Sequence, residues 1–301
     1  MFSGSLRAFD EAARCGSIRR ASEVLGVAPS SVSRHIAILE RQIGTALFHR
    51  RARGVELTHA GKLVAEFARA VLMEYDTLRT DLDDLRGTQR RLLKLALVES
   101  VAHYGPIKAA AKFMESHRAV SFNVRLMPAP QVIEAVREGL YDIGITFCAQ
   151  PDNSIVTLAS LPEPIVLVVS ADDDLASAKQ VELREITDRA LALPDSDFNV
   201  RQIVDRACTA AGVRLNAVLS SNVFETLRDF VRLHAGVAIL PMRAVAHREG
   251  AENLRIIPLA GEAFRDATID VIVLRKRRLP RVVKSFVDCL IKEIAIAATL
   301  E

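Results

Sequence analysis

Ser30, Ser31, Ser33 and Arg34 fall within one short stretch, VAPSSVSRHI at positions 27–36, interleaved with Val32 and Ile36. Small hydroxyls can approach a base edge or a phosphate closely, and a guanidinium can contact guanine at two acceptors at once. A plain surface helix would instead carry Glu and Lys outward, and acidic side chains would meet phosphate repulsion. Taken one at a time, a serine in a first helical turn and an arginine on a surface are ordinary. The elements around them decide between the two readings.

Leu6, Phe9 and Ala13 recur at helical spacing from Ser5 until Gly16 stops the run. Ser17 is a suitable N-cap for IRRASEVL, whose Ile18, Ala21 and Leu25 share a face, and Gly26 closes that second helix. A third begins at Ser30 or its neighbours, with Pro29 tolerated in its first turn. Val32, Ile36, Leu39 and Ile43 form its inward stripe, which leaves Ser30, Ser33, Arg34, Ala37 and Arg41 outward. Two helices joined across a glycine turn make a helix-turn-helix, whose second helix reads the major groove through its N-terminal residues.

LFHRRARGVELT (47–58) then reads as a basic hairpin with a turn at Arg53-Gly54 and with Val55 and Leu57 inward. As a wing, it would bring Arg50, Arg51 and Arg53 to phosphate or the minor groove. Thr58 can cap a long helix to about Arg86, in which Phe67, Val71, Tyr75, Leu78, Leu82 and Leu85 make a near-heptad seam for a second copy. Packing of that helix on its own body gives a similar stripe. Residues 1–62 hold ten Lys and Arg against five Asp and Glu, whereas residues 91–301 hold 26 of each, so the positive excess is confined to the head. A basic head on a neutral body fits a nucleic-acid binder with a second domain.

Half of the 301 residues are hydrophobic and 26% are charged, which suits packed cores rather than disorder. No run approaches the roughly 18–20 apolar residues that span a bilayer, and the N-terminus has no signal-peptide core, so a cytoplasmic location is expected. Cys15, Cys148, Cys208 and Cys289 are scattered without metal or disulfide spacing and read as reduced, buried thiols. Neither a metal nor a cofactor is expected. No G-x-S-x-G, P-loop, G-x-G-x-x-G or H-E-x-x-H is present, and Asp172–Asp174 reads as a solvated turn, so no catalytic residue is assigned. Residues 92–301 alternate apolar strands with amphipathic helices, which implies an α/β body. The late strand ATIDVIVL and final helix can return to complete the lobe begun by LLKLALV, with crossings near 160 and 266.

The head is similar to the winged helix-turn-helix of LysR-type transcriptional regulators. Gly16-Ser17-Ile18, Ala21-Ser22, Leu25-Gly26-Val27, Val32-Ser33-Arg34, Leu39-Glu40, Leu47-Phe48, Arg50, Leu57-Thr58 and Ala60-Gly61 carry that resemblance. YDIGITF (141–147) and HAGVAILP (234–241) extend it more loosely through the body. It implies a winged head (1–58), a linker helix (59–88) and a periplasmic-binding-protein-like effector domain (91–301). The effector domain divides into lobe I, about 91–162 with 267–301, and lobe II, about 163–266. Promoter DNA, a small-molecule effector and a homodimer that pairs into a homotetramer are the partners implied. One departure matters: Pro29-Ser30-Ser31 stands where many members have Gln-Pro-Ala, so the operator of relatives should not transfer.

In open α/β folds ligands sit beyond the carboxyl ends of strands, near helix N-termini. That rule selects Ser100, Ala129, Phe147, Ser196 and Asn222, of which Ser196 and Asn222 equally suit helix caps. Glu99, if turned inward, would disfavour an anionic effector. Two other classes are consistent with the layout. An enzyme with an accessory DNA-binding head would need a catalytic constellation in the body, and an architectural DNA protein would need no effector.

Overall fold

The computed structural model describes residues 2–51, 54–86, 91–102, 105–245, 253–275 and 277–299, with the side chains of 2, 3, 50, 80, 81, 83–86 and 297–299 outside that description. The chain divides into two compact units, a head with its long helix (1–89, with 276–280) and a body (90–275 and 281–301).

The head contains α1 (Phe2–Cys15), α2 (Ile18–Leu25), α3 (Pro29–Ile43), the strands β1 (Phe48–Arg51) and β2 (Gly54–Leu57), and α4 (His59–Arg86). Ser17 caps α2 by accepting the Arg20 N–H, and Gly26 ends it at φ +65° in the left-handed region that glycine enters without steric cost. Val32, Ile36 and Leu39 of α3 pack with Leu6, Phe9 and Ala21 into one buried core. Ile43, expected on that stripe, is instead 46% exposed, because Gly44 ends the helix at φ +79° before its last turn reaches the core.

The two wing strands pair antiparallel from Phe48 with Leu57 to Arg51 with Gly54. Val55 and Leu57 are half-buried against the head core, as their alternation predicts. The Val55 N–H donates to the Gly16 carbonyl (2.9 Å), which fastens the wing to the α1–α2 turn. Thr58 begins α4 by accepting the Gly61 N–H at 2.9 Å.

The body comprises β3 (Arg91–Leu97), α5 (Gly105–Ser116), β4 (Val120–Leu126), α6 (Ala129–Arg137), β5 (Ile143–Phe147), β6 (Ile155–Pro162), β7 (Ile165–Ser170), β8 (Leu191–Pro194), α7 (Asn199–Ala211), β9 (Ala217–Ser221), α8 (Phe224–Arg232), β10 (Val237–Pro241), β11 (Leu254–Pro258), α9 (Glu262–Arg265), β12 (Thr268–Leu274) and α10 (Arg281–Thr299). They form two five-stranded sheets, ordered β4-β3-β5-β12-β6 and β11-β7-β10-β8-β9. The chain leaves the first sheet after β6 and returns to it at β12. In the first sheet β3 runs parallel to β4 and β5, and in the second β8 runs parallel to β9 and β10. Each parallel set therefore brings its carboxyl ends to one edge.

Candidate nucleic-acid interface and ligand cleft

On α3, Ser30, Arg34, Ala37 and Arg41 are exposed, while Ser31 and Ser33 are half-buried beside them. The helix starts after Ala28 with no side-chain cap, Pro29 occupies its first turn, and no acidic residue lies there. Its outward N-terminal end thus combines the positive end of the helix dipole with short hydroxyls and a guanidinium. Glu40 faces the other way. Its carboxylate accepts the N–H groups of Leu47 (2.8 Å) and Phe48 (3.3 Å), so the same helix also fixes the root of the wing.

On the wing, Arg51 is exposed and pairs with Glu56 across the hairpin at 3.1 Å. Arg53 and the Arg50 side chain lie outside the described residues.

The long helix carries two apolar stripes where the sequence pattern predicts one. Ala65, Ala68 and Leu72 are buried against the head, and Val71 packs half-buried with them, so Val71 does not belong to an exposed seam. Leu63, Phe67, Tyr75, Leu78 and Leu82 form the other stripe and are 47–60% exposed. Val71 and Val64 stand where the head core reaches round the helix, so both are half-buried there. The Leu85 side chain lies outside the described residues.

In the body, the carboxyl ends of β3, β4 and β5 face the starts of α7 and α8 across a cavity of about 370 Å³. Ser100, Ala129, Phe147 and Asn222 line it, so four of the five expected residues come together there. Ser196 does not; it is exposed, and the next residues, Asp197, Phe198 and Asn199, line the cavity in its place. Nor are Ser196 and Asn222 caps. Phe198 and Val223 occupy the cap positions, and neither supplies a side-chain hydrogen bond. The start of α8 is satisfied from the opposite lobe, where the Glu99 carboxylate accepts the Phe224 N–H at 3.1 Å. A second bridge runs from the Asn199 side-chain amide to the Phe147 carbonyl at 2.6 Å.

Phe198 and Phe224 stack edge-on with centroids 5.5 Å apart. Sequence reasoning misses them because apolar residues at helix starts look like core. Of the four cysteines only Cys208 is fully buried; Cys15, Cys148 and Cys289 are half-buried, and all four are free thiols. Desolvation pushes the thiols of all four upward, which keeps them protonated and weak as nucleophiles. Among the described residues no cluster of His, Cys, Asp and Glu could hold a metal ion, and no helix is long and apolar enough to cross a membrane.

The model of the bacterial regulatory helix-turn-helix protein of the lysR family matches residues 4–62, and that of the LysR substrate binding domain matches residues 86–295. The RuBisCO operon transcriptional regulator of Allochromatium vinosum is 23% identical over 291 residues, covering 96% of this chain and 95% of that protein. Full-length OxyR of Pseudomonas aeruginosa, solved as a cysteine-to-aspartate variant, superposes with a TM-score of 0.74 at 20% identity, covering 96% of this chain and 94% of that one. Full-length CbnR complexed with its target DNA superposes with a TM-score of 0.55 at 20% identity, covering 97% and 99%. The two family models between them span the head and nearly the whole body, and the chain belongs to the LysR family of DNA-binding transcriptional regulators.

Proposed function

We propose that this regulator reads its operator with the N-terminal half of α3, that Ser30, Ser31, Ser33 and Arg34 are the contact residues, and that Arg50, Arg51 and Arg53 of the wing hold the flanking backbone. The observation that carries this reading is the uncapped, acid-free start of α3, with Ser30 and Arg34 exposed beside a basic hairpin. Arg51 is the weakest of the wing candidates, because Glu56 already neutralises it. Residues 1–58, 59–88 and 91–301 act as head, linker and effector domain in this proposal, in the cytoplasm where promoter DNA is found.

The test is an anisotropy titration with a duplex selected from a random pool against an unselected duplex. Arg34→Ala is expected to lose about 1–3 kcal/mol of discrimination between them, roughly fivefold to 150-fold, with the oligomeric state intact. Unchanged discrimination would remove Arg34 from base readout.

The exposed stripe Leu63, Phe67, Tyr75, Leu78 and Leu82 is proposed to pair two copies, and two such dimers to form the homotetramer of the family resemblance. Leu78→Asp puts a charge in that seam and is expected to shift sedimentation toward the monomer. An unchanged sedimentation coefficient at micromolar concentration would place the dimer contact elsewhere. A small molecule in the cleft modulates the assembly by favouring one of two lobe arrangements, and it does so only through its difference in affinity for them.

A further inference from the structure

The cleft lining differs from what an acidic effector would need. Among the described residues no lysine, arginine or histidine lines the cavity, whereas two carboxylates, Glu99 and Asp197, and three aromatic rings, Phe147, Phe198 and Phe224, do. On the reading that this cavity is the effector site, we infer that it recognises an organic cation: a primary ammonium on a compact aromatic or branched aliphatic body.

Three features support that class. The first is Glu99. Its carboxylate accepts the Phe224 N–H at the start of α8 and so occupies, with the protein's own charge, one of the three helix starts that border the cavity, those of α6, α7 and α8. An acidic ligand would enter beside Glu99 and Asp197 with no side-chain cation among the described lining residues to offset them. The second is the pair of groups left for a ligand. Asp197 is exposed and its carboxylate has no partner among the described residues, so it is available to an ammonium at the mouth. Ser100 is 5% exposed, lines the cavity and has no hydrogen-bond partner for its hydroxyl among the described residues. A hydroxyl so placed can accept an N–H from a ligand inside the cavity.

The third feature is the aromatic wall. Phe147 and Phe224 are almost wholly buried and Phe198 is half-buried, so their surfaces toward the cavity are apolar and desolvated. They give the hydrocarbon body of the ligand an apolar wall. Leu126, Met127 and Val223 complete an apolar bed for the body of the ligand. The volume, about 370 Å³, lies at the small end of the range of about 300–1,000 Å³ for small-molecule pockets, which favours a compact molecule.

The test is isothermal titration of the full chain with three probes that share one body: 2-phenylethylamine, 2-phenylethanol and 3-phenylpropionate, at matched ionic strength. Saturable binding of the amine is expected, at least about tenfold tighter than either of the others, which corresponds to about 1.4 kcal/mol. Asp197→Asn is expected to weaken the amine by about the same factor and to leave the alcohol unchanged. Asp197 is exposed, so that variant should keep the wild-type circular dichroism. Tighter binding of the propionate overturns the inference, as does equal binding of amine and alcohol, which would mean that charge is not read. Failure of both 2-phenylethylamine and 3-methylbutylamine to saturate overturns it too. Operator binding by the same preparation separates the two readings. Operator discrimination without amine binding defeats the cation alone, and amine binding without operator discrimination defeats the regulatory role alone.

Discussion

Glu163→Ala is expected to destabilise the body by about 3–5 kcal/mol, the range for a buried ion pair broken by removal of one partner. Glu163 is fully buried, and one of its oxygens pairs with the Arg243 guanidinium at 2.6 Å. The other accepts the Arg243 backbone N–H at 2.8 Å, and the Glu163 N–H donates to the Ala267 carbonyl at 2.9 Å. The Arg243 guanidinium also reaches the Pro162 carbonyl at 3.2 Å. Alanine would leave that guanidinium, whose side chain is only 8% exposed, without its carboxylate.

Large as that loss is, the pair is not expected to be a net source of stability. Each charge was desolvated to reach this site, and an apolar pair of similar volume is often neutral or stabilising. Glu163→Met with Arg243→Met should therefore recover most of what Glu163→Ala loses. Denaturant unfolding of the single and double variants measures the coupling directly. A single-variant loss below about 1 kcal/mol would mean that water reaches Arg243 once the carboxylate is gone. The location gives the pair its functional meaning. Glu163 directly follows β6 and its backbone binds Ala267, just before β12, so it ties together both passages between the two sheets. A rearrangement of the lobes has to turn about those passages.

Much of the head was legible because its elements are local. Ser17 and Gly26 bracket eight residues, the stripe Val32, Ile36 and Leu39 has one period, and Val55 and Leu57 alternate inward on the hairpin, although Gly54, expected in the turn, is already paired with Arg51. The central strands β5, β7, β8 and β10 were legible as apolar runs, and all four are buried along their whole length. β6 and β11 were not read as full strands, and both are edges of their sheets with mixed burial. Edge strands lose the clean pattern of a central strand, although β4 and β9, also edges of mixed burial, were read from VSFNVRLM and AVLS.

The cleft was half legible. A strand-end rule reached Ser100, Ala129, Phe147 and Asn222, because carboxyl ends follow from strand direction alone. It took Ser196, just after the strand run LALPD, whereas the chain reaches the cavity one residue later, at Asp197. Nothing local reveals that Glu99 caps a helix 125 residues away, since that bond exists only once two lobes have folded against each other. The placement of the Glu99 carboxylate at the start of α8 is therefore visible only in the folded body.

Gly61→Ala distinguishes local propensity from tertiary packing by the sign of its effect. Gly61 lies in the first turn of α4, where helix propensity alone predicts that alanine stabilises by about 1 kcal/mol. A Cβ at this position would overlap the Leu47 carbonyl oxygen and stand 3.0 Å from the Leu57 Cδ2. The Leu47 carbonyl cannot retreat, because the Thr58 N–H holds it at 3.0 Å while Glu40 holds the Leu47 N–H from the other side. Overpacking against yielding side chains costs about 1–3 kcal/mol, and here the obstacle is backbone pinned at both ends. A net loss of about 2 kcal/mol or more is therefore expected in thermal unfolding of the head. Gly4→Ala is the control: it also lies in a helix, and nothing within 4 Å would meet its Cβ, so it should be neutral or slightly stabilising. The functional consequence follows from the same close approach. Leu47 is the root of the wing, so a head that accommodates the added methyl must displace the hairpin from α3. For every phosphate that the displaced wing no longer reaches, the decline of operator affinity with salt should become less steep by about one in log–log slope. A Gly61→Ala protein with wild-type melting and wild-type salt slope would show that α4 can shift past the wing root, and that this close approach does not set the wing's position.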